Sequence, residues 1–233
     1  MKEDHIMFYY DWTYLLLIPG LLLGFWAQAK VKNAYAKYSR IGTRQGLTAA
    51  QAVMDLLRRN GNNAVSLARV AGELTDNYDP RTETLNLSQG VYDSNSIAAL
   101  GIAAHEAGHA MQKMEGYAPL QLRSAIVPVV NIGSGLSTPI FLAGLIFSWR
   151  PLVTVGIILF SLTVVFTLVT LPVEFDASRR AMRMLTEGGY VTPDEEAGVR
   201  SVLSAAAMTY VAAAISSLLA LLRLILISNR RRR

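Results

Sequence analysis

The chain contains no cysteine. That excludes disulfides and thiolate zinc ligands and accords with a site facing the cytoplasm. Histidine is almost as scarce, with three in 233 residues: His5, His105 and His109. A cleavable signal peptide is also missing from this reading. The start, Met1-Lys2-Glu3-Asp4-His5, is mixed in charge, no small-x-small cleavage pattern follows in a clean position, and Lys30 and Lys32 stop the first apolar run. The segment reads as a retained anchor. The net charge of +5 does not call for a nucleic-acid partner. The basic residues cluster beside apolar segments, at Lys30, Lys32, Lys37 and Arg40, at Arg179, Arg180 and Arg183, and at Arg230, Arg231, Arg232 and Arg233. That is how topology and contact with an anionic lipid bilayer are written into a sequence.

Apolar residues are what the chain has in excess. At 52% hydrophobic it is too apolar for an ordinary soluble domain. Four segments approach the roughly 20 apolar residues that cross a bilayer: 14–29, flanked by Trp12, Tyr14 and Trp26 as interfacial anchors; 126–149; 151–173; and 205–227, which Arg223 interrupts. The expected architecture is mainly α and integral to the membrane, with three or four transmembrane helices and a small α+β region that holds the motif read next. A single domain is expected over 1–233. It comprises a first span at 12–29, a largely polar region at 30–125, a helical hairpin at 126–173, a further helical region at 174–204, and a last helix at 205–228 that either spans or re-enters.

The residues Ala104-His105-Glu106-Ala107-Gly108-His109-Ala110 concentrate the chemistry. On an α-helix, positions i and i+4 share a face, so His105 and His109 can aim ring nitrogens at one ion. Glu106 stands beside them where it can take a proton from water made acidic by zinc. Ala107 and Gly108 are small and admit another element close to the site. The reading is a zinc hydrolase with one Zn2+ per chain and Glu106 as general base.

Upstream, Thr48 is a good N-cap for a helix whose apolar face is Ala52, Val53, Leu56 and Leu57. Residues 65–75 alternate in places and can hold a strand, and 76–81 read as a turn. Thr84, Leu85, Asn86, Leu87 and Ser88 alternate with the period of a half-exposed strand. An edge strand beside the catalytic helix would pair with an extended peptide and lay it across the metal. Ser94, Asn95 and Ser96 cap the catalytic helix, which Gly116 and Pro119 end.

Two histidines do not complete a catalytic zinc site, which takes three protein ligands. The hairpin turned by Trp149-Arg150-Pro151 brings the chain back to the side of the membrane it left, so Glu174 and Asp176 emerge near the histidines. Two residues apart, they point to different faces of a helix. Glu174 is favoured as the ligand, with Asp176 as alternative ligand or as an acceptor orienting a histidine. Tyr92, Tyr190, Arg179 and Arg180 are candidate donors to the oxyanion.

Taken together, residues 74–81, Leu85-Asn86-Leu87-Ser88, Val91-Tyr92, Ala104 to Ala110 and Pro172-Val173-Glu174-Phe175-Asp176-Ala177-Ser178 resemble the YugP-type bacterial neutral zinc metallopeptidases. These are small membrane-embedded enzymes of the gluzincin kind. The resemblance covers about Tyr9 to Leu222. It implies His105, His109 and Glu174 as zinc ligands and Glu106 as base. More distant heat-shock and CAAX-prenyl membrane peptidases carry Glu-x-x-x-Asp after their hairpin. Here those positions are Glu174 and Ser178, so the aspartate that would buttress a histidine is absent and Asp176 is its candidate substitute.

Basic residues after the first span and after the hairpin place the site in the cytoplasm of a bacterial cell, with the amino terminus outside. The expected partners are a protein or peptide substrate and the bilayer. The small residues Gly133, Ser134, Gly135, Ala143 and Gly144 allow close helix packing within or between chains, so a homo-oligomer or a membrane partner protein is also compatible. Two rivals are an intramembrane site-two-type protease and an inactive scaffold. Asp93, Lys113, Glu115 and Arg123 around the motif favour the membrane surface over the first. The intact His105, Glu106, His109 and Glu174 set argues against the second.

Overall fold

The computed structural model describes residues 11–230, so His5 and Arg231 to Arg233 lie outside the described residues. A 3-10 turn at Trp12–Leu17 leads into α1 (Ile18–Tyr38), then α2 (Ala49–Arg59), β1 (Ser66–Val70), β2 (Asn77–Asp79), β3 (Thr84–Ser88), the short α3 (Gln89–Tyr92), α4 (Ile97–Met114), α5 (Ala118–Ile146), α6 (Arg150–Glu187) and α7 (Pro193–Arg230). Four stretches, Trp12–Tyr38, Ala118–Ile146, Arg150–Glu187 and Pro193–Asn229, are long and apolar enough to cross a membrane. The chain is mainly helical with one small sheet.

The spans run further than their apolar runs. α5 starts at Ala118, about two turns ahead of residue 126, because its first turns are polar: Gln121, Arg123 and Ser124 precede the apolar stretch. α6 continues through Pro172 to Glu187, so Glu174, Asp176 and Ser178 belong to the spanning helix and not to a separate region. A proline inside a transmembrane helix is tolerated when neighbouring groups take up the freed backbone. α7 is likewise unbroken from Pro193. Its first turn lies at the site end, where Glu195 accepts from the Arg44 amide at 2.7 Å. Far along it, Arg223 stacks on Tyr14 at 3.9 Å from the ring centroid and lies 3.4 Å from Asp11, at the start of the first span. The helix therefore traverses the bundle end to end.

α5 and α6 form the expected hairpin, turned at Ser148 and Trp149, with a positive φ of 51° at Ser148. A Cβ on Gly156 would stand 2.7 Å from Phe141 backbone, so only glycine lets the two helices meet there. Gly133 and Gly144 face Leu162 and Val153 within the same hairpin.

The sheet order is β1-β3-β2, with β3 parallel to β1 and antiparallel to β2. Leu85 and Leu87 are fully buried and Thr84 and Asn86 half-buried, the alternation the sequence predicts. Two expectations change, however. Residues 84–88 form the central strand, flanked on both sides, and 77–79, read as a turn, form the edge strand β2.

Leu85, Leu87 and Val91 pack with Val53, Leu56 and Leu57 of α2, Ala103, Ala107 and Met111 of α4, Leu185 of α6 and Val199 of α7. The core thus lies beneath the catalytic motif. Thr48 caps α2 in a reciprocal capping box with Gln51. Ser96 caps α4 through the Ala99 amide.

Candidate metal centre

α4 and α6 cross with almost no side chain between them at the motif. A Cβ on Gly108 would run into the Ala177 carbonyl oxygen. That approach sets the histidine face of α4 against the Glu174 face of α6. His105 Nε2 lies 3.2 Å and His109 Nε2 3.5 Å from Glu174 Oε2. The two imidazoles meet edge to face, 83° apart with centroids at 4.9 Å. One ligand atom from each residue falls within a 4.8 Å set. Four-coordinate zinc with bonds of about 2.0–2.1 Å places neighbouring donors about 3.3 Å apart, so the spacing suits that ion.

The outer ring nitrogens fix which atoms face inward. Gln112 is fully buried, and its amide N–H groups donate to the Val173 carbonyl at 2.8 Å and to Asp176 Oδ2 at 3.0 Å. Its Oε1, 3.0 Å from His109 Nδ1, is left as acceptor, so Nδ1 carries the proton and Nε2 presents a lone pair. Ser178 Oγ stands 3.1 Å from His105 Nδ1 and serves the second ring in the same way. Two imidazole lone pairs and a carboxylate oxygen converging on one point repel one another unless a cation sits among them. The donor set fits zinc.

Burial alone would lower the pKa of His109. The hydrogen bond His109 makes to the Glu174 carboxylate and the charges of Glu106 and Glu174 outweigh it and raise the pKa above the ordinary histidine value. Glu174 is 2% exposed, and its second oxygen is held by Arg123 at 3.2 Å. Asp176 is buried but does not join the three donors. Arg179 and Arg180 grip it, Arg180 Nε at 2.6 Å, and it reaches His109 only through Gln112.

A pocket of ≈ 280 Å³ opens over this cluster, with Glu106, His109 and Glu174 on its floor and Tyr78, Arg123 and Tyr210 on its walls. The Glu106 carboxylate makes no hydrogen bond to another described residue. The edge strand β2 supplies the rim through Asn77 and Tyr78. Asp76 ties this rim down, accepting from the Ser88 amide at 2.8 Å and from the Ser88 hydroxyl. Burial, then Glu83 and Asp79, push Tyr78 up to about 12, so it keeps its proton. Lys113, on the turn of α4 after His109, ion-pairs with Glu83 at 2.6 Å and also donates to the Pro80 carbonyl, fixing the β2–β3 turn over the helix.

The expected oxyanion donors are elsewhere. Tyr92 packs under the Arg69 guanidinium, 4.6 Å from its ring centroid, on the α2 side of the sheet. The Tyr190 phenol is buried and donates to Asp55. Arg180 joins Asp176 to Glu115 at 2.6 Å, and Arg179 holds the other Asp176 oxygen. The pocket instead offers Tyr210, Arg123 and Tyr78, none of which the sequence reading had proposed as donors. For Gln112 there was a signal: at i+3 from His109 it shares the histidine face of α4. For Tyr210 there was none, since it lies on α7, a hundred residues away.

A two-histidine, one-carboxylate cluster beneath a pocket, with the histidines on α4 and the carboxylate on α6, a helix long and apolar enough to cross a membrane, is the kind of site a membrane zinc peptidase carries. The profile of the family described as "Putative neutral zinc metallopeptidase" matches residues 13–229, and the chain belongs to that family. It is 48% identical over 212 residues, 91% of this chain and 94% of the other, to "Putative membrane protease YugP" of Bacillus subtilis (strain 168). No solved structure matches the chain.

Proposed function

We propose that the chain is a membrane-bound zinc-dependent endopeptidase that cuts extended protein segments at the membrane surface, in membrane protein processing or quality control. The observation that carries this reading is the convergence of His105, His109 and Glu174 within 4.8 Å under a pocket that also holds Glu106. When bound, zinc supplies Lewis acidity to water and to the scissile carbonyl.

The chain's own residues do the rest. His105, His109 and Glu174 hold the ion. Glu106 accepts the proton of the attacking water and passes it to the leaving amine. Tyr210, Arg123 and Tyr78 are the donors within the pocket for the developing oxyanion. Because β3 is paired on both sides, the substrate-pairing role falls to the outer edge of β2, whose Asn77 and Tyr78 line the pocket. Lys30, Lys32 and Lys37 at the end of α1 and Arg179, Arg180 and Arg183 on α6 support a cytoplasmic site in the bacterial plasma membrane. α7 then crosses the bilayer away from the cytoplasmic face.

The test is Glu106→Gln in the detergent-purified chain. Zinc stoichiometry near the wild-type level with peptide turnover lowered by about 10²-fold or more supports the reading. Unchanged turnover would refute it.

A further inference from the structure

Beside the metal centre, around α6 from the pocket, a groove of ≈ 440 Å³ runs between α6 and α7. Met182, Leu203 and Ala207 make an apolar floor, and Arg179, Arg183 and Arg200 stand around it. Glu196 pairs with Arg200 at 2.6 Å and Asp176 pairs with Arg179, so Arg183 carries the surplus positive charge of the groove. Arg180 shares Asp176. Arg183 has no acidic partner among the described residues.

The level of the groove in the membrane follows from the sequence. Residues 151–173 of α6 and 201–222 of α7 carry no charge. At about 1.5 Å per residue each run covers about 30–35 Å, the hydrocarbon thickness of a bilayer. Arg200 is the last residue before one run, and Arg179 and Arg183 stand about 9 and 15 Å beyond the other, so the groove opens on the side where the apolar runs give way to charged residues. On α6, Ile158, Val165, Leu168 and Phe175 form one exposed apolar stripe facing lipid. The stripe leads straight into the groove, whose lower wall is Phe175. A ligand here has a hydrocarbon tail along the stripe and a negative group among the arginines.

We infer that this groove binds one phospholipid of net negative headgroup, its phosphate between Arg183 and Arg200 and an acyl chain along Phe175 and the α6 stripe. Charge surplus, position at the end of the apolar runs and continuity with the lipid-facing surface favour a lipid over an acidic peptide, which has no use for the membrane-directed stripe. Ser178 and Arg179 line the groove and also touch His105 and Asp176, so the lipid lies beside the face of α6 that carries Glu174. The inference rests on α6 and α7 crossing the membrane and is independent of the peptidase reading.

The experiment measures lipid retention by the full chain in detergent, by native mass spectrometry, with dioleoylphosphatidylglycerol against dioleoylphosphatidylcholine. Wild type is expected to keep a single phosphatidylglycerol per chain in preference to phosphatidylcholine. Arg183→Gln with Arg200→Gln is expected to weaken retention about 30-fold, about fivefold for each arginine. Arg183→Lys with Arg200→Lys should keep most of it. Lys30→Gln with Lys32→Gln, an equal charge loss on α1, should change nothing. Equal retention of both lipids by wild type would overturn the proposal, and that result needs no variant to fold. So would undiminished binding in the Arg→Gln pair, an equal loss in the lysine pair, or displacement of the lipid by millimolar inorganic phosphate or an acidic peptide.

Discussion

Ser178 Oγ lies 3.1 Å from His105 Nδ1, one helical turn beyond Glu174, whose Oε2 faces the other nitrogen of the same ring at 3.2 Å. A single turn of α6 thus both meets His105 at its metal-facing edge and braces it from behind. Outer hydrogen bonds of this kind tune metal affinity by about 10–100-fold. Ser178→Ala is expected to lower zinc affinity by about tenfold, read by competition with a chromophoric chelator. Wild-type affinity in that variant would remove Ser178 from the site.

Gln112 links Asp176 to His109 from a fully buried position. Gln112→Leu keeps the volume but strips the hydrogen bonds from His109 Nδ1, the Val173 carbonyl and one Asp176 oxygen. Buried groups left without partners cost about 1–3 kcal/mol each. Thermal unfolding should show a clear loss of stability, and zinc affinity should fall with it. A variant as stable as wild type would mean that water takes over these bonds.

The contact of Gly108 with Ala177 makes a sharper contrast. Gly108→Ala drives a methyl into a backbone carbonyl, which neither helix can yield without moving the ligands. Overpacking of this kind costs about 1–3 kcal/mol. Zinc content should drop together with the melting temperature. Gly135→Ala, where nothing lies within 4 Å, should leave both unchanged. Equal effects from the two substitutions would contradict the close crossing of α4 and α6.

His109 has a raised pKa in the absence of an ion, since Glu174 and Glu106 outweigh the burial that would lower it. The metal needs the unprotonated ring, so protons compete with zinc below that raised pKa. Apparent zinc affinity should therefore fall as pH drops, beginning above the ordinary histidine value of about 6.5. Glu106→Gln removes one of the raising charges and should shift the onset to lower pH. Titrations of zinc binding in the two proteins, with identical pH dependence, would exclude this coupling.

The absence of native cysteine makes single-cysteine labelling clean. With α5 and α6 as a hairpin and the site in the cytoplasm, Ser148→Cys should react with an impermeant maleimide on intact cells. Thr186→Cys, exposed at the other end of α6, should react only after permeabilisation. The reverse pattern would place the site outside.

Much of the site was legible because helix periodicity and hairpin geometry are local rules. The i, i+4 spacing of His105 and His109 fixed their shared face, and a tight turn at Trp149 required the chain to return near them. That logic favours Glu174 while keeping Asp176 open as an alternative ligand, and Asp176 in fact meets His109 only through Gln112. What escaped depends on relations between elements. The alternation of residues 84–88 tells which side chains are buried but not which strands flank them, so the central strand was read as an edge. Asn77 to Asp79, among turn-forming residues, pairs with β3 next to the bond that holds Asp76 to Ser88. Tyr210 reaches the pocket through the rotation of α7 about its axis, which an apolar helix without a periodic polar stripe does not announce. The groove arginines read as topology markers because each follows an apolar run. Only their grouping around one floor distinguishes them.

The three donors also impose an order on biogenesis. His105 and His109 leave the ribosome on one side of the α5–α6 hairpin and Glu174 on the other, with two membrane passes between them. A chain whose hairpin has not yet inserted and returned holds two histidines and no carboxylate, and Gly108 has no Ala177 to rest against. The three-donor cluster is therefore a property of the completed hairpin and not of the motif that carries its histidines.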